Sequence, residues 1–309
     1  MYYVKVKTPV ICEQSVYGFS GYSINRFSIT KTLRGINSAS VTFLNTPKNF
    51  VEAGMIFSIY YDGLELFRGI VSEPINTSLT KEVTFQGMLY SLLTKFLVNP
   101  EIFNAGYSLK SALNYFINTY GGGLSWYINV DSDLTFPSVT VFHKEYAYDA
   151  IKEIVDMIGA WMWENNGTVY IVQAEMPSGV ENSLAVEKLL SKVETISLDE
   201  ILSGIAIADK NGNFYLYRAE GSSFAQSWGK IGYYEYPSYA DKETLKKLAE
   251  NIYKASRIGD KKIDVKVAGF QNVPLGSVYE GYLVTEVRYE YQANPPLFLT
   301  YFKGESLDS

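Results

Sequence analysis

Cysteine and histidine are almost missing: Cys12 and His143 are the only ones in 309 residues. Their scarcity excludes disulfides within the chain and any Cys/His zinc site, and with them zinc and thiol-redox chemistry. Charge is thin too, at 19% of residues against roughly 25% in an ordinary domain. What charge there is leans acidic. With 33 carboxylates against 27 basic side chains the net charge is -6, opposite in sign to a surface built to neutralise phosphates, so nucleic-acid grasping is disfavoured. No apolar run reaches the roughly eighteen residues of a transmembrane helix. The opening residues Met1 to Lys7 alternate charged and apolar side chains without the hydrophobic core of a signal peptide, so a soluble protein made in the cytoplasm is expected.

Apolar residues make up 47% of the chain and aromatics 15%, with 26 Tyr, 17 Phe and 4 Trp. Such a composition builds a core and excludes disorder for the bulk, and the length suggests about two domains. Up to about residue 95 the dominant period is two: Phe27 and Ile29 alternate with Ser28 and Thr30, and Ala39, Val41 and Phe43 with Ser38, Ser40 and Thr42. These are half-buried strands. Asp62-Gly63, between runs at 55–61 and 64–71, supplies the positive-φ pair of a two-residue hairpin, and a further strand follows at 82–86. A small antiparallel barrel or sandwich is expected there.

The period changes near Leu89. Ser108 is placed to cap a helix whose buried face is Leu109, Ala112, Leu113, Phe116 and Ile117, with Gly121-Gly122-Gly123 ending it. A second helix carries Ala147, Ala150, Ile151, Ile154, Val155 and Ile158 on one face and stops at Gly159, and Trp161 to Val172 then reads as a hairpin around Asn166-Gly167. Alternation returns at Ile205 and Ile207, with Asn211-Gly212 as a turn. A helix capped by Asp241 (Leu245, Leu248, Ala249, Ile252, Tyr253) precedes strands at 263–267, 281–291 and 297–302.

Catalytic motifs are incomplete. Gly121-Gly122-Gly123 follow a helix and lack a succeeding Lys-Ser/Thr pair, so they read as a helix stop rather than a phosphate cradle. Gly18-Phe19-Ser20-Gly21 has the wrong spacing for a nucleophilic serine turn. Asp131, Asp133 and Thr135 mimic the start of a calcium loop, yet Phe136 stands where glycine is required and Phe142 where a bidentate Glu belongs. His143-Lys144-Glu145 has no second His four residues on. Asp149, Glu153, Asp156 and Glu164 lie near the Trp hairpin and keep a paired-carboxylate glycosidase open, with Trp161 and Trp163 as a sugar platform. The expected role of both Trp, ahead of the sugar platform, is packing under the helix at 146–158. Tyr60, Tyr61, Tyr233, Tyr234 and Tyr236 mark either a contact surface or ordinary strand faces. No catalytic, metal or cofactor-binding residue is assigned, and neither an enzyme nor a cofactor is expected.

The order of the weaker patterns carries a resemblance. Phe27-Ser28-Ile29, Val41-Thr42-Phe43-Leu44-Asn45, Gly54, Ile59-Tyr60-Tyr61-Asp62-Gly63 and Leu66-Phe67-Arg68-Gly69-Ile70-Val71 resemble the opening of phage baseplate hub and tail-associated proteins. Tyr148 to Ile154, Gly159-Ala160-Trp161 and Gly167 to Ile171 are similar to that family's helix and hairpin, and Val267-Ala268-Gly269, Pro274 to Val278 and Gly281 to Val287 to its second barrel. The resemblance implies an α+β, mainly β fold with two small antiparallel tube-like barrels, at 1–95 and 197–309, flanking an α/β middle at 96–196. It also implies a homotrimeric baseplate hub whose six barrels form a pseudo-hexameric ring between the hexameric tail tube and the trimeric spike. Partners would be a tail tube or distal tail protein and a spike or tip protein, with DNA passing transiently through the lumen. The expected location is the baseplate of a virion tail or tail-like injection device. An acidic lumen lining would repel the DNA backbone. The alternatives are a carbohydrate-active enzyme or sugar-binding module of a tail tip, or a hexameric distal tail or tube subunit with one barrel per chain.

Overall fold

Hydroxyl residues alternating with apolar ones let a strand bury one face and leave the other in water, and this pattern organises both ends of the chain. The computed structural model describes residues 10–13, 24–44, 53–76, 80–130, 134–173, 184–196, 202–218, 229–236, 239–256 and 261–306. The opening strands are β1 (Val10–Glu13), β2 (Ile24–Thr32), β3 (Ser38–Leu44), β4 (Ile56–Tyr61), β5 (Leu64–Asn76) and β6 (Thr80–Gly87). A 3-10 turn, Met88–Thr94, leads into β7 (Glu101–Phe103), α1 (Leu109–Tyr120), β8 (Ser125–Asn129), β9 (Thr140–Phe142), α2 (Ala147–Ile158), β10 (Ala160–Asn165) and β11 (Thr168–Gln173). Then come β12 (Leu189–Ile196), β13 (Leu202–Ala208), β14 (Phe214–Arg218), β15 (Lys230–Glu235) and α3 (Lys242–Ser256). The closing strands are β16 (Lys261–Ala268), β17 (Val278–Tyr279), β18 (Tyr282–Ala293) and β19 (Pro296–Ser306).

The chain is mainly β. Its opening and closing strands, expected in separate barrels, form one eleven-stranded sheet in the order β1-β4-β5-β6-β3-β2-β18-β19-β16-β12, with β17 on β18. Every pairing in it is antiparallel. The join is β2 on β18, where Arg26 to Thr32 run opposite Gln292 to Glu286. Aromatic side chains reinforce it: Phe27 stacks on its register partner Tyr291 at 5.5 Å and meets the edge of Phe298 at 5.8 Å. Tyr61 reaches Phe298 at 4.6 Å and Phe270 at 5.2 Å. Phe27, Phe43, Phe57, Phe67 and Phe85 thus share one core with Val265, Val287, Tyr289 and Phe302, each such burial contributing about 1.5–3 kcal/mol.

A second core lies between the helices and three small sheets, β10-β11-β8, β14-β13-β15 and β7-β9. Both helix faces fall as their spacing requires, since Ala112, Leu113, Phe116 and Ala150, Ile151, Ile154, Val155 are all buried. Ser108 Oγ caps α1 by accepting Ser111 N–H, and Asp241 Oδ1 accepts Thr244 N–H at 2.8 Å at the start of α3. Strands β13–β15 and helix α3 pack here, through Ile205, Ile207, Leu245, Leu248 and Ala249. The sequence grouping placed them with the closing strands instead. Two parallel pairings, β8 with β11 and β13 with β15, bring together strands that are separated in the chain by α2 and by β14 respectively.

Gly159 ends α2 with φ +77, and a Cβ there would meet Asn251 Cβ at 3.1 Å on α3, whose amide donates to Met157 O at 3.0 Å. Gly159→Ala is expected to lower the unfolding free energy by about 1–2 kcal/mol in urea titrations. Gly122→Ala, with nothing within 4 Å, should stay within about 0.5 kcal/mol of the parent.

Candidate assembly surfaces

Strand β10 sends Ala160, Met162 and Glu164 inward and Trp161 and Trp163 to its other face. This overturns the expectation that both Trp pack under α2: it is Ala160 and Met162 that join the helix in the core. Alternation also drives the carboxylate of Glu164 into the protein, where it is 1% exposed. Its Oε2 accepts Leu89 N–H at 3.0 Å and its Oε1 accepts Gly167 N–H at 3.1 Å. Burial raises its pKa, while the Leu89, Gly167 and Met88 amides and the Lys31 ammonium pull it back.

The turn after Glu164 is bound into the opening strands by polar contacts. Lys31 Nζ donates to Asn165 Oδ1 at 2.8 Å and to Asn166 Oδ1 at 3.3 Å, and Asn166 Nδ2 donates to Glu65 O at 2.6 Å. Asn37 Nδ2 donates to Glu164 O at 2.8 Å while its Oδ1 accepts Thr32 N–H at 3.0 Å. Gly87 is required here because a Cβ would sit 2.5 Å from Glu164 Oε2. Burial lowers the Lys31 pKa from 10.5 to about 8 against the pull of Glu164 and Glu65. This cluster fastens the helical core to the large sheet.

The other candidate groups are dispersed. Asp156 is ion-paired with Lys152 one turn away on α2. Glu153 is pushed up to about 7 by burial and then by Glu145, against the Tyr234 hydroxyl that holds it down, and its Oε1 has no hydrogen-bond partner among the described residues. His143 is exposed, with Nε2 3.1 Å from Val98 O. Gly121 ends α1 beside the Trp126 ring. Asp131, Asp133 and Gly18 to Gly21 lie outside the described residues, and Phe136 and Phe142 are buried with Phe103. Tyr236 is buried, Tyr60, Tyr61 and Tyr234 are half-buried, and Tyr233 is exposed. Among the described residues no group of three or more His, Cys, Asp or Glu is placed to hold a metal, and no helix is long and apolar enough to cross a membrane.

The outer face of the large sheet is a field of hydroxyls. Ser28 lies opposite Ser40 and Ser40 opposite Thr84, while Thr30 pairs with Ser38 and Arg26 with Thr42. Beyond the β2–β18 join the same face carries charges of both signs, with Arg288 paired to Glu290 and Lys303 to Glu286 at 3.0 Å. It is therefore mixed in charge rather than acidic. The sheet ends on β12, where all eight residues are exposed on both faces, including Leu189, Leu190, Val193 and Ile196. At its other end β1 pairs only with β4 among the described residues. The Ser/Thr alternation was readable in the sequence. The β12 edge was not, because Leu-Leu-Ser-Lys-Val-Glu-Thr-Ile has no clean period.

No protein-family model matches the chain, and a search of curated proteins finds no match. Solved structures share its fold over nearly its whole length. A tail protein from Neisseria meningitidis superposes with a TM-score of 0.69 at 11% identity, covering 98% of this chain and 96% of its own. The 43 kDa tail protein of prophage MuSo2 from Shewanella oneidensis gives 0.68 at 11%, covering 97% and 98%. A component of the Escherichia coli type VI secretion system, itself similar to bacteriophage T4 tail proteins, gives 0.64 at 9%, covering 97% and 77%. The fold is thus that of phage tail proteins.

Glu164→Ala leaves two buried amides without their acceptor and the buried Lys31 ammonium without its neighbouring countercharge, and a loss of about 3 kcal/mol is expected in urea denaturation, with a smaller loss for Glu164→Gln. Glu153 has the opposite sign. Its folded pKa of about 7 lies above the ordinary 4.5, so the folded chain holds the extra proton between those values and stability falls as pH rises through that window. Glu153→Gln should flatten this fall and gain on the order of 2 kcal/mol at pH 8 in the same titration.

Proposed function

We propose that this chain is a structural subunit of a phage tail or tail-like injection device, a baseplate hub in which three copies form the ring between the hexameric tail tube and the trimeric spike or tip. The observation that carries this reading is a sheet whose two end strands, β1 and β12, differ and have one neighbour each among the described residues. An edge strand exposes unpaired N–H and C=O groups and invites another strand. When the two ends differ, the contact between copies is head-to-tail, and a ring results if the rotation closes. The exposed aliphatics of β12 are what such a contact would cover.

In this reading each half of the sheet acts as one tube-like barrel unit, so three chains supply six positions around the ring. The hydroxyl face lines the lumen. With charges of both signs paired on it and, among the described residues, no continuous row of cations, it offers DNA no counterion-releasing track and lets it pass transiently. The tube or distal tail protein binds one rim and the spike or tip protein the other, at the baseplate of the particle. The fold shared with tail proteins supports the assignment. Glu164, one carboxylate of the enzymatic alternative, is buried on the opposite face of β10 from the two Trp and is held by backbone amides, which supports the structural reading.

Sedimentation at micromolar concentration should report a trimer, and a well-folded monomer would contradict the ring. Cys12 on β1 is the only cysteine, so Ser191→Cys, Val193→Cys and Thr195→Cys variants should, on oxidation, give covalent dimers and trimers that vanish when Cys12→Ser is added. A trimer without cross-links keeps the ring and refutes this pairing of edges.

A further inference from the structure

The face of β10-β11-β8 turned away from α2 carries three aromatic rings in one row. Trp163 lies opposite Tyr170, and Tyr170 opposite Tyr127. Trp163 and Tyr170 stack at 5.3 Å and 13°, and Tyr170 and Tyr127 follow at 5.6 Å and 49°. In the adjacent row Trp161 faces Val172 and Val172 faces Asn129. The loop Pro274-Leu275-Gly276-Ser277 forms the opposite wall, enclosing a cavity of about 270 Å³. The cavity is thus built from both parts of the molecule, a sheet of the helical core and a loop of the large sheet.

We propose that this cleft is a binding site for a neutral saccharide, taking one pyranose ring against the Trp163–Tyr170–Tyr127 row. Among the described residues its lining contains no charged side chain. Nucleotide bases also stack on aromatic rows, but their phosphates require cations, and none lines the cleft among the described residues. A sugar ring has apolar C–H faces for the indole and phenol rings and hydroxyls at its rim for the Asn129 amide and the tyrosine hydroxyls, the division of labour that aromatic residues with polar tips supply. The platform is preorganised. Trp161 is fixed by its Nε1–H bond to Ala255 O at 3.2 Å, and Trp163 by its stack on Tyr170, so little ordering cost accompanies binding.

The test is intrinsic tryptophan fluorescence of the full chain titrated with triacetylchitotriose, cellotriose and maltotriose. The expected result is a saturable change for at least one of them, with a midpoint near or below about 1 mM. Binding should weaken about tenfold or more in Trp163→Ala. Tyr127→Ala should weaken it similarly; at 51% exposed, Tyr127 can be removed without unfolding the chain, and circular dichroism checks both variants. No saturation by any of the three at about 10 mM, or equal affinity in Tyr127→Ala, would overturn the proposal. A Tyr127-dependent response to an oligoproline peptide with none to the saccharides would overturn it as well, because aromatic grooves also take polyproline segments.

Discussion

The pairing of β2 with β18 is the constraint on which the rest of the structure depends. It joins residues as far apart as Ser28 and Arg288, separated by 260 positions, and turns two runs of strands into one sheet. Closing so long a loop is entropically costly, although the cost grows only slowly with length. The compensation is visible at the join, where Phe27, Tyr291 and Phe298 pack as a cluster. Because β2 also carries Lys31 inward, the same strand that welds the sheet presents the ammonium that holds the β10–β11 turn.

The second consequence is the placement of the helical core. It meets the opening strands at the β10–β11 turn, where its attachment is polar. Glu164, Asn37, Lys31 and Asn166 satisfy one another and nearby backbone groups. A buried network of this kind fixes geometry when every member is paired and is costly when one is removed. Glu164 therefore belongs to the architecture, whereas in the sequence it looked like a candidate acid beside a Trp platform. The strand period separates the two roles: Trp161 and Trp163 stand on one face, Met162 and Glu164 on the other.

Local features were legible where a single turn or face decides them. Asp62-Gly63 and Asn166-Gly167 adopt the positive φ pairs of tight hairpins, and the buried stripes of α1 and α2 match their 3.6-residue spacing. Long-range pairings were not legible, since nothing in the alternation of β2 says which strand it meets. The segment 202–256 alternates like the closing strands, yet Ile205 and Ile207 are buried against the helices, because a strand's period reveals its faces and not its partner. The aromatic row arises in the same way: Tyr127 reaches Tyr170 through a parallel pairing across α2, which no local pattern announces.

The sheet is welded in the middle, hydroxylated on its outer face and, among the described residues, bounded at each end by a strand with a single neighbour. The proposed ring requires the two halves to behave as one rigid body. Native-state hydrogen exchange reads this directly. The amides of 26–32 and 286–292 should exchange together, through the same global opening and with the same denaturant dependence. Protection of the opening strands that persists while the closing strands exchange freely would contradict the account.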